Sequence, residues 1–456
     1  MTEFTLPKGW LVCNLADIGN IQTGNTPPKN QPDLYGHSFP IFKPGDLDAG
    51  SRVSHASEYL SEAGRAASRF VPAGSTYVTC IGATIGKTGL VVVDGTCNQQ
   101  INTITPEVGL NQKWMFYWIC SPMMQNAIIS NSSSTTLPIL NKSKFSSLET
   151  IVPPLAEQQQ IAQKLDELLA QVDTLKTRLD AIPNILKRFR QSVLAAAVSG
   201  KLTEEWREIQ IEKLDEWRWV TLGEIADVKG GITKDSKKQE SSFIELPYLR
   251  VANVQRYFLD LDEIKTIRIP ETRVKDLLLE VGDILFNEGG DLDKLGRGWI
   301  WEGQIQNCSY QNHVFRARLK NKSDSPKYIS WWGNTEGFEY FIRNGKQTTN
   351  LASINKTLLS NLPINLPPTK EQTEIVRRVE QLFAYADQIE QRVKDAQARV
   401  NHLTQSILAK AFRGELTAEW RAQNPELISG ENSAAALLER IKAERGVVAT
   451  KKRVKK

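Results

Sequence analysis

The sequence predicts an α+β fold with a pseudo-two-fold internal repeat, in which two similar α+β domains are separated by two long helices packed as an antiparallel coiled coil. Two observations lead to this prediction. Residues 153–207 recur as residues 367–421 at an offset of 214 without a gap, and 20 of the 55 aligned positions are identical. The segments before the two copies, 10–152 and 217–366, match more weakly. A duplication on this scale sets the order of the domains before any local assignment is made.

The first globular segment mixes short strands with turns. Strand-like runs lie near residues 76–81, 89–93 and 101–105, and a helical pattern lies near 112–129. Glycine, proline and asparagine separate these runs, as is typical of turns. The mixture predicts an α+β domain.

The first copy of the repeat is predicted to be one long helix. Its apolar residues recur at alternating intervals of four and three, which is the a/d seam of a coiled coil. Pro153 and Pro154 open the copy ahead of the helical pattern, and Gly200 lies where a C-terminal stop is expected. Pro183 lies inside the pattern and predicts a kink or a break there.

The second globular segment repeats landmarks of the first. The matched positions predict the same kind of domain with diverged loops. They pair Trp10 with Trp217, residues 39–43 with 246–250, residues 85–89 with 295–299, and residues 98–101 with 311–314.

The second copy of the repeat continues the same seam. Thr369 and Gln372 have the spacing of a capping box, Gln397 replaces the proline so that this helix should run straight, and Gly414 is the expected stop. The principal predicted seam residues are Ile161, Leu165, Leu168, Leu175, Leu179, Ile375, Val379, Leu382, Ile389 and Val393.

Connectivity predicts the direction of the two helices. The first helix leads into the second globular segment and the second helix leaves it, so facing seams require antiparallel helices. We expect a rod with one globular domain at each end. The predicted boundaries are residues 1–152 and 208–366 for the globular domains, 153–207 and 367–421 for the helical repeats, and 422–456 for a C-terminal tail.

The tail combines a short helix with a basic end. The helical pattern covers residues 434–445, and the chain closes with Lys451-Lys452-Arg453-Val454-Lys455-Lys456. We expect this end to be disordered, and either to attract phosphates or only to aid solubility.

Composition indicates an ordinary globular protein. The net charge of +5 over 456 residues is too small to announce a nucleic-acid partner by itself. No apolar run approaches the ~18 residues of a membrane span, and the start MTEFTLPKGW lacks a signal-peptide pattern. Five cysteines without a CxxC pair, and four scattered histidines, favour a reducing cytoplasm and predict no metal site.

One stretch imitates a phosphate-binding loop. Residues 82–88 read GATIGKT, which places three residues between the glycines where the loop needs four. The stretch predicts a strand-turn-strand, and a nucleotide-binding enzyme centred on Lys87 is kept as an alternative. No other catalytic motif is present.

The repeats resemble those of a known family. The stretches PPLAEQQQIAQKLDELLAQVD, LKRFRQSVLAAAVSGKLTEEWR, EQTEIVRRVEQLFAYADQIE and LTQSILAKAFRGELTAEWR resemble the specificity (S) subunit of type I restriction-modification enzymes, and the tail ENSAAALLERIKAER resembles the enteric IA group. The resemblance covers essentially the whole chain. It implies that the globular segments are target recognition domains and that the helices are conserved spacers.

The resemblance also implies partners and a role. It implies a non-catalytic subunit that binds double-stranded DNA, two methyltransferase (M) subunits and, in the full complex, two restriction (R) subunits. S-adenosylmethionine, ATP and Mg²⁺ would be held by those partners, and none by this chain. Each domain would read one half of an asymmetric bipartite target, and the spacers would set the distance between half-sites. Two alternatives remain open: a coiled-coil scaffold that never contacts DNA, and an S subunit that acts in modification only.

Candidate DNA-contacting residues follow from side-chain chemistry. Asn and Gln can pair with adenine, and Lys and Arg with guanine. The alternative for each residue is a structural place in a turn or at a strand edge. The candidates are Lys43, Lys87, Thr88, Asn98, Gln99 and Gln100 in the first domain, and Arg250, Lys294, Arg297, Asn312 and His313 in the second.

Overall fold

A computed structural model describes residues 6–133, 137–210, 215–233, 243–347 and 352–454. The chain forms two compact units. Unit 1 comprises Met1–Asp180 with Lys394–Lys456, and unit 2 comprises Ala181–Val393. Each unit therefore contains one globular segment and one half of each long helix.

Short helices accompany mainly antiparallel sheets in both globular segments, which is an α+β fold, and two long helices follow these segments. In chain order they are α1 (Leu15–Ile18), α2 (Glu62–Ala67), α3 (Gln112–Cys120), α4 (Pro122–Ser130), α5 (Lys142–Ser146), α6 (Leu155–Val198), α7 (Glu204–Glu208), α8 (Leu222–Ile225), α9 (Glu271–Leu277), α10 (Pro326–Asn334), α11 (Glu336–Asn344), α12 (Lys356–Ser360), α13 (Thr369–Phe412), α14 (Ala418–Gln423) and α15 (Ala434–Val454).

The strands are short. In chain order they are β1 (Leu11–Asn14), β2 (Gly19–Thr23), β3 (Tyr35–Phe42), β4 (Glu58–Leu60), β5 (Ser75–Thr79), β6 (Thr88–Val91), β7 (Thr96–Cys97), β8 (Ile101–Pro106), β9 (Glu149–Val152), β10 (Arg218–Thr221), β11 (Ala226–Gly230), β12 (Ile244–Leu249), β13 (Val254–Gln255), β14 (Phe258–Leu259), β15 (Lys265–Ile269), β16 (Ile284–Asn287), β17 (Gly289–Gly290), β18 (Gly298–Ile300), β19 (Ser309–Tyr310), β20 (Val314–Leu319), β21 (Lys346–Gln347), β22 (Ala352–Ser353) and β23 (Pro363–Leu366).

The two globular segments share one topology. Unit 1 has sheets of order β2-β8-β5-β6 and β4-β3-β7 and the pair β1-β9, and unit 2 has β11-β20-β16-β18, β15-β12-β19 and β10-β23. The parallel pairing of β3 with β7 recurs as β12 with β19, whereas the other pairs in these sheets are antiparallel. The predicted internal repeat is confirmed.

The long helices run antiparallel within each unit. In unit 1, Lys164 Nζ donates to the Leu416 carbonyl at 2.8 Å and Gln397 Nε2 donates to Asp180 Oδ1 at 2.7 Å. In unit 2, Arg190 Nη2 donates to Asp387 Oδ1 at 2.6 Å and Arg378 donates to the Leu202 carbonyl. In both units the residue numbers along α13 decrease as those along α6 increase. The two helices are therefore antiparallel, as predicted for facing seams.

The seam also forms part of each domain core. Ile161 and Leu165 are buried in one cluster with Trp114 and Phe412 of unit 1. In unit 2, Ile375, Val379 and neighbouring residues of α6 join the sheet and α10 in the equivalent cluster. The repeat helices therefore fold together with the domains.

Leu175 is a predicted seam residue that stays 45% exposed. The bonds from Lys164 to Leu416 and from Gln397 to Asp180 set the register, which places Leu175 opposite the stretch around Leu403. Leu403 is itself 41% exposed. In this stretch the two helices pack only against each other, so their seam residues are less buried than where a domain also covers the helix pair.

The predicted break at Pro183 and the predicted capping box at Gln372 are wrong. α6 continues through Pro183 without a break, and the proline ring lies at an exposed position. Gln372 makes no capping box: its amide is buried, donates to the Pro367 carbonyl at 2.9 Å and accepts from the backbone of Ser325 at 2.7 Å. The side chain therefore joins α13 to the start of α10.

The tail helix is longer than the sequence indicates. α15 extends to Val454, beyond the predicted end at residue 445. Arg445 joins this helix to the first domain, because its guanidinium donates to Glu107 Oε1 at 2.8 Å and to the Gly19 carbonyl at 3.1 Å. Residues 455 and 456 lie outside the described part of the chain. No helix among the described residues combines the length and apolarity needed to cross a membrane.

Candidate nucleic-acid interface

The candidate residues lie on adjoining loops in each unit. One loop follows the central strand, β3 or β12, a second precedes β6 or β18, and a third joins β7 to β8 or β19 to β20. In unit 1 the third loop is bonded to the first through Asn98 N and the Phe42 carbonyl at 3.0 Å. In unit 2 the same bond runs from Gln311 N to the Leu249 carbonyl at 2.8 Å. The loops therefore meet in the same way twice.

The second loop also meets the third in each unit. Cys80 N donates to the Gln100 carbonyl at 2.7 Å, and Glu288 N donates to the His313 carbonyl at 2.9 Å. The structure thus brings each domain's candidates into one region, although they are widely separated in sequence.

Lys43 and Arg250 are equivalent residues at the end of the central strand. The amide of Lys43 donates to Asp46 Oδ2 at 2.7 Å, and the amide of Arg250 donates to Asn253 Oδ1 at 2.9 Å. A side chain three residues ahead therefore fixes the backbone of each cation. The two side chains are half-buried.

The glycine turn at residues 82–88 is a strand-turn-strand, as predicted. Its amides are used inside the turn: Gly86 N donates to the Thr79 carbonyl at 2.8 Å and Lys87 N donates to the Thr84 carbonyl at 3.1 Å. Strand β6 follows, where a phosphate-binding loop would need a helix. Lys87 Nζ lies 2.6 Å from Asp48, and the Thr88 hydroxyl donates to the Gly86 carbonyl.

The matching loop of unit 2 presents two cations. Lys294 forms an ion pair with Asp291. Arg297 Nη2 donates to the Val251 carbonyl at 3.2 Å, and burial lowers the pKa of this guanidinium. Arg297 is the more constrained of the two because it reaches back to the loop that follows β12.

The third loop carries amide and imidazole groups. Asn98 Nδ2 donates to Gln100 Oε1 at 2.9 Å, whereas Gln99 is exposed and accepts from Thr26. In unit 2, a hydrogen bond of 3.2 Å joins Asn312 Nδ2 and His313 Nε2. These groups have the donors and acceptors that base edges require.

The sequence interpretation missed the acidic partners of these cations. Glu58 lies 3.0 Å from Lys43 Nζ, Glu263 lies 3.4 Å from Arg250 Nη2, and Glu288 Oε2 lies 2.6 Å from His313 Nδ1. These glutamates could have been found from their equivalent places in the two domains. Glu58 and Glu263 each lie at or just before the strand that pairs with the central strand.

The sequence interpretation also missed a buried acidic cluster that recurs in each unit. Glu157 accepts from Trp10 Nε1 at 2.8 Å, from the Thr417 hydroxyl at 2.7 Å and from Arg421 Nε at 2.9 Å. Its side chain is 0% exposed. The cluster joins the first strand of the domain to α6 and to the segment after α13.

The equivalent cluster in unit 2 centres on Glu371. This carboxylate accepts from Trp217 Nε1 at 2.8 Å, from the Thr203 hydroxyl at 2.7 Å and from Arg207. Each tryptophan also lies under its arginine, at 5.7 Å for Arg421 and 5.9 Å for Arg207. Trp, Glu, Thr and Arg all recur at matched positions of the repeat, which was the signal available in the sequence.

Within the described residues, no group of three or more His, Cys, Asp or Glu side chains could hold a metal ion. The five cysteines are free thiols. The geometry therefore offers hydrogen-bonding and charged groups on loops, and its buried carboxylates are bonded to structural partners.

Comparison with known proteins agrees with this architecture. The family model described as type I restriction modification DNA specificity domain matches residues 7–184 and 214–396. The chain is 36% identical over its full length, and that of the relative, to the EcoKI specificity subunit of Escherichia coli strain K12. It is 36% identical to the StySPI specificity subunit of Salmonella potsdam and 37% identical to the EcoDI subunit of Escherichia coli, again with both chains fully covered.

Solved structures show the same fold. The HsdS subunit from Thermoanaerobacter tengcongensis matches with a TM-score of 0.60 and 20% identity, covering 91% of this chain and 99% of that one. A chain from a study of complex assembly and conformational transition of the type I R-M system matches with a TM-score of 0.59 and 19% identity, covering 90% and 100%.

Proposed function

Since the chain belongs to the family of type I restriction-modification DNA specificity subunits, we propose that it selects the DNA sequence on which such a complex acts. Each globular domain, taken as residues 1–152 and 208–366, reads one half of a bipartite target. The loops after β3 and β12, before β6 and β18, and after β7 and β19 supply the contacts.

One observation carries this proposal. The two domains share sheet order and loop contacts, yet their loop side chains differ: Lys43 stands where the other domain has Arg250, and Asn98 where it has Gln311. A shared scaffold with different side chains suits two readers of different half-sites, because base recognition depends on the groups presented to the groove. The target is therefore asymmetric.

The helical repeats hold the spacing and the partners. Residues 153–207 and 367–421 act as spacers that set the distance between half-sites and dock the methyltransferase subunits, one for each half of the repeat. Two restriction subunits join in the full complex. This chain is a non-catalytic cytoplasmic subunit, and S-adenosylmethionine, ATP and Mg²⁺ serve the partner subunits.

Mapping of methylated adenines tests the proposal. The chain is expressed with its methyltransferase subunit in a host free of other adenine methyltransferases, and the methyltransferase subunit alone is the control. We expect one asymmetric bipartite sequence to be methylated only when the chain is present. Methylation that does not depend on the chain would support a scaffold instead.

A further inference from the structure

Two equivalent cations are each held by a carboxylate of the neighbouring strand region. Lys43 Nζ lies 3.0 Å from Glu58 Oε2, and Arg250 Nη2 lies 3.4 Å from Glu263 Oε2. Glu58 opens β4, which pairs with β3, and Glu263 lies two residues before the start of β15, which pairs with β12. The same arrangement therefore occurs once in each domain.

Stability does not account for these carboxylates. The backbone positions of the two cations are already fixed by Asp46 and Asn253. Both pairs are partly exposed to solvent: the exposed side-chain fractions are 37% for Lys43 and 26% for Glu58, and 21% for Arg250 and 71% for Glu263. Single ion pairs that reach solvent in this way contribute little to stability. Lys265 and Arg250 hold the pKa of Glu263 below its ordinary value, so the group stays ionised. Its main effect is on the surface charge.

A carboxylate beside a cation acts differently on two kinds of DNA contact. It repels phosphates and competes with them for the cation, which weakens binding that depends on the backbone alone. At a cytosine, the same carboxylate accepts from the N4 amino group, while the cation donates to guanine. Binding to unrelated sequence is penalised, and a matching base offsets the penalty.

We propose that Glu58 and Glu263 are specificity-determining residues that suppress binding to unrelated DNA, one in each recognition domain. This inference rests on the proposed function. Neighbouring loops repeat the pattern, since Lys87 pairs with Asp48 at 2.6 Å and His313 pairs with Glu288 at 2.6 Å.

Glu58→Gln and Glu263→Gln test the proposal in the full chain bound to its methyltransferase subunits. Dissociation constants are measured at several salt concentrations for a duplex carrying the mapped target and for a scrambled duplex of equal length. Glu339→Gln is the matched control, because it removes the same charge from α11, where Glu339 lies 3.8 Å from Arg343. The thermal unfolding midpoint of each variant verifies folding.

Each test variant should bind the scrambled duplex about tenfold more tightly. The slope of log K against log salt should steepen by about 0.9 for Glu58→Gln, which frees Lys43, and by about 1.8 for Glu263→Gln, which frees both Arg250 and Lys265. Its preference for the target should fall, whereas Glu339→Gln should change neither quantity. Scrambled-duplex affinity and slope equal to those of the unsubstituted complex would overturn the inference. An unsubstituted complex that fails to prefer the target would instead contradict the proposed function. The two variants lie in different domains, so misfolding of one leaves the other as the test.

Discussion

Trp10 donates its indole N–H to Glu157 at 2.8 Å, although 147 positions separate the two residues. Trp217 and Glu371 form the same bond at 2.8 Å across 154 positions. Both carboxylates are fully buried and paired with an arginine. These two bonds join each globular segment to its helices, so the domain and the spacer fold as one unit.

Loss of the buried carboxylate should destabilise its unit strongly. Glu371→Ala leaves Arg207, Thr203 and Trp217 without their acceptor, and breaking such a pair costs about 3 kcal/mol or more. Urea unfolding measures the change, and Glu157→Ala should behave alike in unit 1. Glu167→Ala on the exposed side of α6 is the control and should stay within about 0.5 kcal/mol. Equal effects of Glu371→Ala and Glu167→Ala would contradict this role.

The glycine after α13 should tolerate no side chain. Gly414 has φ of +76°, and an added Cβ would lie 2.4 Å from Pro7 Cγ. Gly414→Ala should therefore cost about 3 kcal/mol of unfolding free energy. Gly430 has φ of +58° but open space around it, so Gly430→Ala should cost only about 1 kcal/mol. Equal costs measured by urea unfolding would show that the Pro7 contact is unimportant.

Removal of the proline within α6 should stabilise the protein. Pro183 is exposed, so Pro183→Ala loses little packing and restores a backbone donor inside the helix. We expect a gain of about 1–3 kcal/mol, measured by urea unfolding. The reciprocal Gln397→Pro in α13 should lose about 3 kcal/mol and also the bond to Asp180. A loss of stability in Pro183→Ala would mean that the proline is needed for the helix path.

Alkaline pH should destabilise the first domain through Cys97. Burial raises the pKa of this thiol from 9.0 to about 12. Unfolded thiols ionise first as the pH rises, so the folded state binds more protons and loses stability between pH 9 and about 12. At pH 10.5 the loss from this group is about 2 kcal/mol. Cys97→Ala should therefore show a shallower decline in urea midpoint from pH 7.5 to 10.5, and parallel declines would contradict the assignment.

The helices were predictable because a seam is a local pattern. A spacing of four and three identified α6 and α13, and the offset of 214 identified their relationship. The exposure of Leu175 was not predictable, because burial depends on what covers the helix pair at each point, which a heptad does not encode. Pro183 was misread as a possible break because an exposed proline in a long packed helix is tolerated by its neighbours.

The candidate DNA-contacting residues were predictable from their residue types, but the side chains that pair with them were not. Side-chain chemistry and matched positions selected Lys43 and Arg250, which the fold places at equivalent strand ends. Their carboxylate partners come from other strands, and Gln372 was assigned a local cap although it bonds across to Ser325. Long-range pairing of this kind depends on the assembled tertiary structure, whereas the sequence pattern reports local spacing.

Exchange of one recognition domain tests whether each domain reads one half-site. Residues 10–152 are replaced by the matching segment of a relative with a different target, and methylated adenines are mapped in a host that supplies the methyltransferase subunit. We expect one half of the methylated sequence to change while the other half stays the same. A target that is unchanged, or one that changes in both halves, would contradict the assignment of one half-site to each domain.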